Sequence, residues 1–240
     1  MRDPAAVLFD LDDTLFDHSH AARAALSRVH AMHDCFARGA FDAFEQSHAQ
    51  CLEELHQRVL SGALGIDDAR VERFRRLFAA AGVEADDGLL AATASAYRAS
   101  YLGARRPVDG ARDLLAALKP RVRIAVVSNN LLEEQQGKLR QCGFDPYIDA
   151  LVVSEQVGVS KPDPRIFAIA LERLGCAAAD AVMIGDSWSA DVEGARAAGI
   201  RAIWFNRTDS PVPGARAVDV VRRLSPVSDV LRVLFGDCPV

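Results

Sequence analysis

Two rhythms of apolar and polar residues divide this chain. Near the start, Val7-Leu8-Phe9 is a short run of strand formers met at once by the acids Asp10, Asp12 and Asp13, which predicts a buried strand opening into a polar loop. From about Phe16 to Arg106 strand signals are sparse. Ala, Leu, Arg, Glu and Gln dominate there, and apolar residues recur at helical spacing in Leu52, Leu55, Val59 and in Val71, Phe74, Phe78. That spacing predicts about four amphipathic helices, punctuated at Gly39, Ser61-Gly62, Gly65, Gly82 and Gly88.

After Pro107 the rhythm becomes an alternation. Strands are predicted at Val122–Val127, Ala150–Val153, Ala181–Ile184 and Ala202–Phe205, and helices at Gly110–Lys119, Leu131–Cys142, Pro164–Leu174 and Ser189–Ala198. Arg207–Ala217, with two prolines and a glycine, reads as a loop, and Ser225-Pro226 as N-cap and first-turn proline of a last helix carrying Val230, Leu231 and Leu234. The expected fold class is α/β, a doubly wound, mostly parallel sheet formed by residues 1–15 and 107–240, with residues 16–106 inserted as a helical bundle after the first strand.

Composition narrows the chemistry. The 240 residues can bury a sizeable core, and 28 basic against 33 acidic side chains leave no electrostatic footprint for nucleic acid. Five scattered cysteines without a Cys-x-x-Cys pair indicate neither a disulfide framework nor a zinc knuckle. The N-terminus runs directly into the first strand and no apolar run approaches a membrane span, so a cytoplasmic protein is expected, free of membrane. All six histidines precede residue 57, so chemistry at the later strand ends must use carboxylates, hydroxyls and lysine. His30 and His33 read as an exposed helical pair rather than a metal site, since no third ligand is evident.

Polar clusters stand where each buried strand ends, and in open parallel sheets ligands bind outside those carboxyl ends. Strand alternation projects Asp10 and Asp12 to one side. Two carboxylates sharing one space repel by about 4 kcal/mol at 4 Å and an effective dielectric of 20 unless a cation or a shared proton relieves them. Ser128, in Ser128-Asn129-Asn130, offers a hydroxyl suited to a phosphate oxygen. Pro162 holds Lys161 extended, presenting a compact positive charge. Met183-Ile184-Gly185-Asp186 ends a strand with a glycine for a tight turn, and Asp186 and Asp191 are oxygen ligands suited to magnesium. Trp188, beside them, is expected to pack rather than face a substrate.

The ordered series Asp10-x-Asp12-x-Thr14, Ser128, Lys161-Pro162, then Gly185-Asp186 followed by Asp191, resembles the four motifs of the haloacid dehalogenase superfamily, over essentially the whole chain. The inserted helices stand where that family places a helical cap, a lid that would contact the leaving group and exclude water. The resemblance implies a phosphatase acting on a small phosphorylated metabolite, with Asp10 as nucleophile and Asp12 as acid and base. It further implies that Ser128, Asn129, Lys161 and Thr14 line the phosphate, with Thr14 also bracing the loop. Magnesium would be held by Asp10, the main-chain carbonyl of Asp12 and Asp186, with Asp191 orienting Lys161 or a metal-bound water. The superfamily's haloacid dehalogenases, which use no metal, carry no acid two residues after the nucleophile, so Asp12 speaks against that activity; a phosphomutase and a non-catalytic binding protein on the same scaffold are the other readings. Substrate identity and oligomeric state are not written in these motifs.

Overall fold

The computed structural model describes residues 3–213 and 217–236. In chain order, β1 (Ala6–Phe9) is followed by α1 (His18–Met32), the single turn α2 (Asp34–Ala37), α3 (Phe41–Leu60), α4 (Ile66–Ala80) and α5 (Asp87–Gly103). Then come α6 (Ala111–Leu118), β2 (Arg123–Ser128), α7 (Leu132–Cys142), β3 (Ala150–Val153), the short α8 (Ser154–Val157) and α9 (Pro164–Leu174). After β4 (Ala181–Gly185), a π-helical turn at Trp188–Glu193 runs into α10 (Gly194–Ala197), and β5 (Arg201–Phe205), β6 (Asp219–Val221) and α11 (Val227–Phe235) complete the order. The chain forms two compact units, one from the segments up to Asp17 and from Arg106 onward, the other His18–Arg105.

In the first unit all neighbouring strands are parallel, in the order β3-β2-β1-β4-β5-β6. An apolar run without alternation is what a strand buried on both faces requires, and Ala6, Val7, Leu8 and Phe9 have no solvent exposure. Ala6, Leu8, Ala125, Val127, Met183 and Trp204 share a cluster with Ile166, Phe167 and Ala170 of α9. Burying each large apolar side chain stabilises by about 1.5–3 kcal/mol. The chain winds from β1 outward to β3 and returns to β4 on the other side of β1, so a crevice is expected at the carboxyl ends of β1 and β4. Where the chain leaves and re-enters this unit, Val108 N–H donates to Leu15 O (2.7 Å) and Asp17 N–H to Arg106 O (3.1 Å). The Asp17 carboxylate accepts from Arg106 (2.7 and 2.9 Å) and Arg207 (3.1 Å), which together hold it below the usual carboxylate range against the opposing effect of burial.

The helical unit packs α1 against α5 and α3 against α4. The Phe36 ring lies 4.6 Å from those of Phe44 and Phe78. His48 and Arg73 are buried here, with His48 Nε2 and Arg73 Nε lacking hydrogen-bond partners, and the Arg73 guanidinium stands 4.6 Å over the Tyr97 ring. His30 bonds Gly39 O (3.2 Å), while His33 falls outside α1 and meets Thr93 Oγ1 (3.0 Å). The expected histidine pair on one helix is therefore not formed.

Other departures have local causes. Gly88 lies inside the first turn of α5 instead of ending an element, because Asp86 caps that helix by accepting from Leu89 N–H (2.7 Å). Pro226, rather than Ser225, occupies the N-cap of α11, and no side chain caps it. The helix expected from Ser189 begins as the π-turn, and β6 follows the predicted loop as an edge strand too short for a periodic signal. Among the described residues no helix is long and apolar enough to cross a membrane.

Candidate active site

Stretches far apart in sequence meet at the carboxyl ends of β1, β2 and β4. Asp10 follows Phe9 directly, and its N–H donates to Ile184 O on β4 (3.0 Å). It keeps the parity of Ala6 and Leu8, whose face α9 covers. Lys161, just ahead of α9, reaches it: Nζ lies 2.6 Å from Asp10 Oδ1 and 2.6 Å from Asp191 Oδ1. Asp10, Lys161 and Asp191 are 7, 6 and 1% exposed.

Two residues expected to touch substrate are occupied elsewhere. The Asn129 amide grips the Lys161 backbone from both ends, Nδ2 donating to Lys161 O (2.8 Å) and Oδ1 accepting from Lys161 N–H (2.7 Å). Its place is to hold the lysine loop. Thr14 has no exposed surface, and its hydroxyl accepts from Asp186 N–H (3.1 Å) and donates to Asp186 Oδ1 (3.3 Å). It braces Asp186. Ser128 is buried at the end of β2.

Gly185 is needed for close approach rather than for the predicted tight turn, since its φ is not in the left-handed region. A Cβ there would lie 2.3–2.6 Å from the Asp191 side chain, whose Oδ2 also accepts from Ser187 N–H (2.9 Å). Trp188 packs edge-on against Trp204 (5.1 Å), and Trp204 Nε1 donates to Asp186 O (2.8 Å).

Asp12 faces a different set of partners. Lys138 Nζ lies 2.5 and 2.8 Å from its two oxygens, Asn130 Nδ2 donates at 3.1 Å and Gln135 Nε2 at 3.0 Å. The same Gln135 nitrogen lies 2.5 Å from Ser128 Oγ. The strand ends at Phe9, so its alternation does not extend to Asp12, and each aspartate has its own lysine. Sequence reasoning passed over Gln135 and Lys138. A signal exists, because the buried positions of α7 are Gln135, Lys138, Leu139 and Cys142, an amphipathic stripe in which two polar residues stand where apolar ones belong.

Burial pushes the Asp10 carboxyl well above its ordinary range, with Lys161 opposing and Asp191, Asp186 and Asp12 adding to the rise. Asp186 is pushed up to about 7, by burial first and then by Asp191 and Asp13. Burial disfavours charge on Lys161, but Asp10 and Asp191 outweigh it and hold the ammonium more firmly than usual. Asp10, Asp186 and Asp191 each offer an oxygen within 4.8 Å of the others. Such an all-oxygen set fits a hard divalent cation such as magnesium. The Asp12 carboxylate lies outside this set.

A family model for haloacid dehalogenase-like hydrolases matches residues 4–199. The pyrimidine 5′-nucleotidase PynA of Streptococcus pneumoniae is 32% identical, with 83% of each chain covered. A ribulose-1,5-bisphosphate 5-phosphatase of Halopiger xanaduensis is 31% identical over 85% of each. Among solved structures, YfnB of Bacillus subtilis bound to magnesium is similar at a TM-score of 0.76 and 26% identity, covering 98% of this chain and 100% of that one.

Proposed function

Because the chain belongs to the haloacid dehalogenase-like hydrolases, we propose that it is a magnesium-dependent phosphatase that cleaves a small phosphate monoester through an aspartyl-phosphate on Asp10. One observation carries the reading: a buried carboxylate at the mouth of the central strand, paired to Lys161, with Asp186 and Asp191 converging on it.

An Asp10 oxygen attacks phosphorus while the bond to the leaving oxygen breaks, and Asp12, in its protonated form, gives that oxygen a proton. Lys161 and Ser128 hold the phosphoryl oxygens as charge redistributes. Asp12 then takes a proton from the water that attacks the acyl phosphate, which frees inorganic phosphate and restores Asp10. Magnesium, held by Asp10, Asp186 and the main-chain carbonyl of Asp12, would neutralise charge on the phosphoryl group. Asp191 orients Lys161. The dehalogenase alternative leaves Asp12 without a task, since a departing halide needs no proton, yet this structure surrounds Asp12 with three donors.

The named relatives act on a pyrimidine nucleotide and a sugar bisphosphate, so the reading reaches the phosphate ester and stops short of one leaving group. The test is a panel of nucleotides, sugar phosphates and 4-nitrophenyl phosphate, measured with magnesium and after chelation. Turnover that needs the metal is expected. Equal rates in metal-free protein would sink the metal role, and no turnover of any ester would sink the phosphatase reading.

A further inference from the structure

We propose that Lys138, acting with Gln135, is a positioning residue that sets the Asp12 carboxylate for proton transfer and couples it to the phosphate-holding Ser128. The inference rests on the phosphatase reading and adds to it a part of the machinery carried by α7.

Lysine is seldom fully buried, because an ammonium held away from water is strongly disfavoured unless a counter-charge is close. Lys138 is 2% exposed and meets both Asp12 oxygens, with Phe16 placing a ring face 5.2 Å from Nζ. One point charge shared between two oxygens fixes where the carboxylate lies and leaves its rotation undetermined. Gln135 and Asn130 supply that missing direction by donating to the same oxygen, Oδ2, from other sides. Asp12 itself sits on a loop after the strand, with 25% of its side chain exposed, so β1 alone does not hold it. Gln135 also reaches Ser128 Oγ, which ties the position of the proton donor to the group that grips the phosphoryl oxygens. Residues three apart on one helix face make both contacts, so α7 is a rigid jig for the acid and base.

A small misplacement of a catalytic group costs about 100-fold in rate, and general acid help matters most when the leaving oxygen is basic. The variants K138M and K138R, checked for folding by circular dichroism, are assayed with magnesium on phenyl phosphate and 4-nitrophenyl phosphate. For K138M, kcat/KM on phenyl phosphate should fall at least about tenfold further than on 4-nitrophenyl phosphate. K138R, which restores a cation with paired donors, should recover most of that loss. A crystal structure of K138M should show the Asp12 carboxylate rotated away from Ser128. Equal losses on the two esters would mean a merely structural role, and an unmoved Asp12 in K138M overturns the proposal whatever the activity. Failure of the wild-type protein to hydrolyse either ester would instead strike the phosphatase reading, while the position of Asp12 in K138M would still judge the jig.

Discussion

At the scale of residues, two aspartates two positions apart in the chain are separated by the charges that hold them. Asp10 is paired with Lys161 beside Asp186 and Asp191, and Asp12 with Lys138 beside Ser128. If Asp10 is the proposed nucleophile and Asp12 the proposed proton carrier, the two should fail differently. Asp10→Ala leaves no atom to accept the phosphoryl group, so activity should vanish even on 4-nitrophenyl phosphate. Asp12→Ala should keep a measurable remnant on that ester, because general acid and base help is worth about 10² to 10⁴ in rate. It should also let the acyl phosphate accumulate. Rapid quench followed by mass spectrometry should find the added phosphoryl mass on the peptide containing Asp10; an active Asp10→Ala variant, or phosphate on another residue, would falsify the assignment.

The same scale shows why some site residues could be read from sequence and others could not. Asp10, Ser128 and Asp186 stand at strand ends, where a one-dimensional pattern marks a three-dimensional mouth, and Lys161 stands in the loop ahead of α9, where Pro162 marks it. Gln135 and Lys138 sit mid-helix, and only the identity of their neighbours across space reveals what they do. Asn129 and Thr14 are near the mouth in sequence, but which way an amide or a hydroxyl turns is decided by the closest unsatisfied backbone group.

At the scale of elements, long periodic segments were legible because burial repeats along them: α9 begins at Pro164 and ends at Leu174, and β3 spans Ala150–Val153, as the pattern predicts. The three-residue β6 and the π-turn at Trp188 were not, since neither completes a period and both depend on neighbouring strands. The helical unit carries a chemistry of its own in His48. Its imidazole is pushed well below the ordinary range by burial, and further by Arg73 and His18, so it is neutral when folded. The unfolded chain takes up a proton there below about 6.5. More protons on the unfolded state mean that stability falls as pH drops below that value and is full above it. His33, lowered by burial, acts in the same direction. Because the raised carboxyls of Asp10 and Asp186 slope the other way, this loss is read as a difference: in denaturant melts between pH 7.5 and 5.5, stability should fall more (or rise less) on acidification in the wild type than in His48→Leu. An unchanged slope in the variant would remove His48 as its source.

At the scale of the whole molecule, protons and the proposed metal ion compete for the same gathered carboxylates. Asp186, at about 7, and Asp10, raised by burial, hold protons in the folded state that the unfolded chain has lost above about 3.8. Their contribution to metal-free stability therefore declines as pH rises from that value through about 7. A cation must displace those protons, so magnesium should stabilise more at pH 8 than at pH 6. Thermal melts at the two pH values, with and without millimolar magnesium, should show the larger rise in Tm at pH 8. The reverse order would rule out these carboxylates as the ligands.

The central position of β1 has a consequence for how the protein is made. On the ribosome β1 emerges ahead of the helical unit, yet both of the strands it pairs with are synthesised only after that unit is complete, from Arg123 and from Ala181. A fully apolar strand must wait unpaired while His18–Arg105 is translated and can begin to settle. The nascent chain thus carries Asp10 before it acquires Ser128, Lys161 and Asp186 one after another, and a chain cut short before β4 would lack Asp186 and leave one edge of β1 without its partner strand.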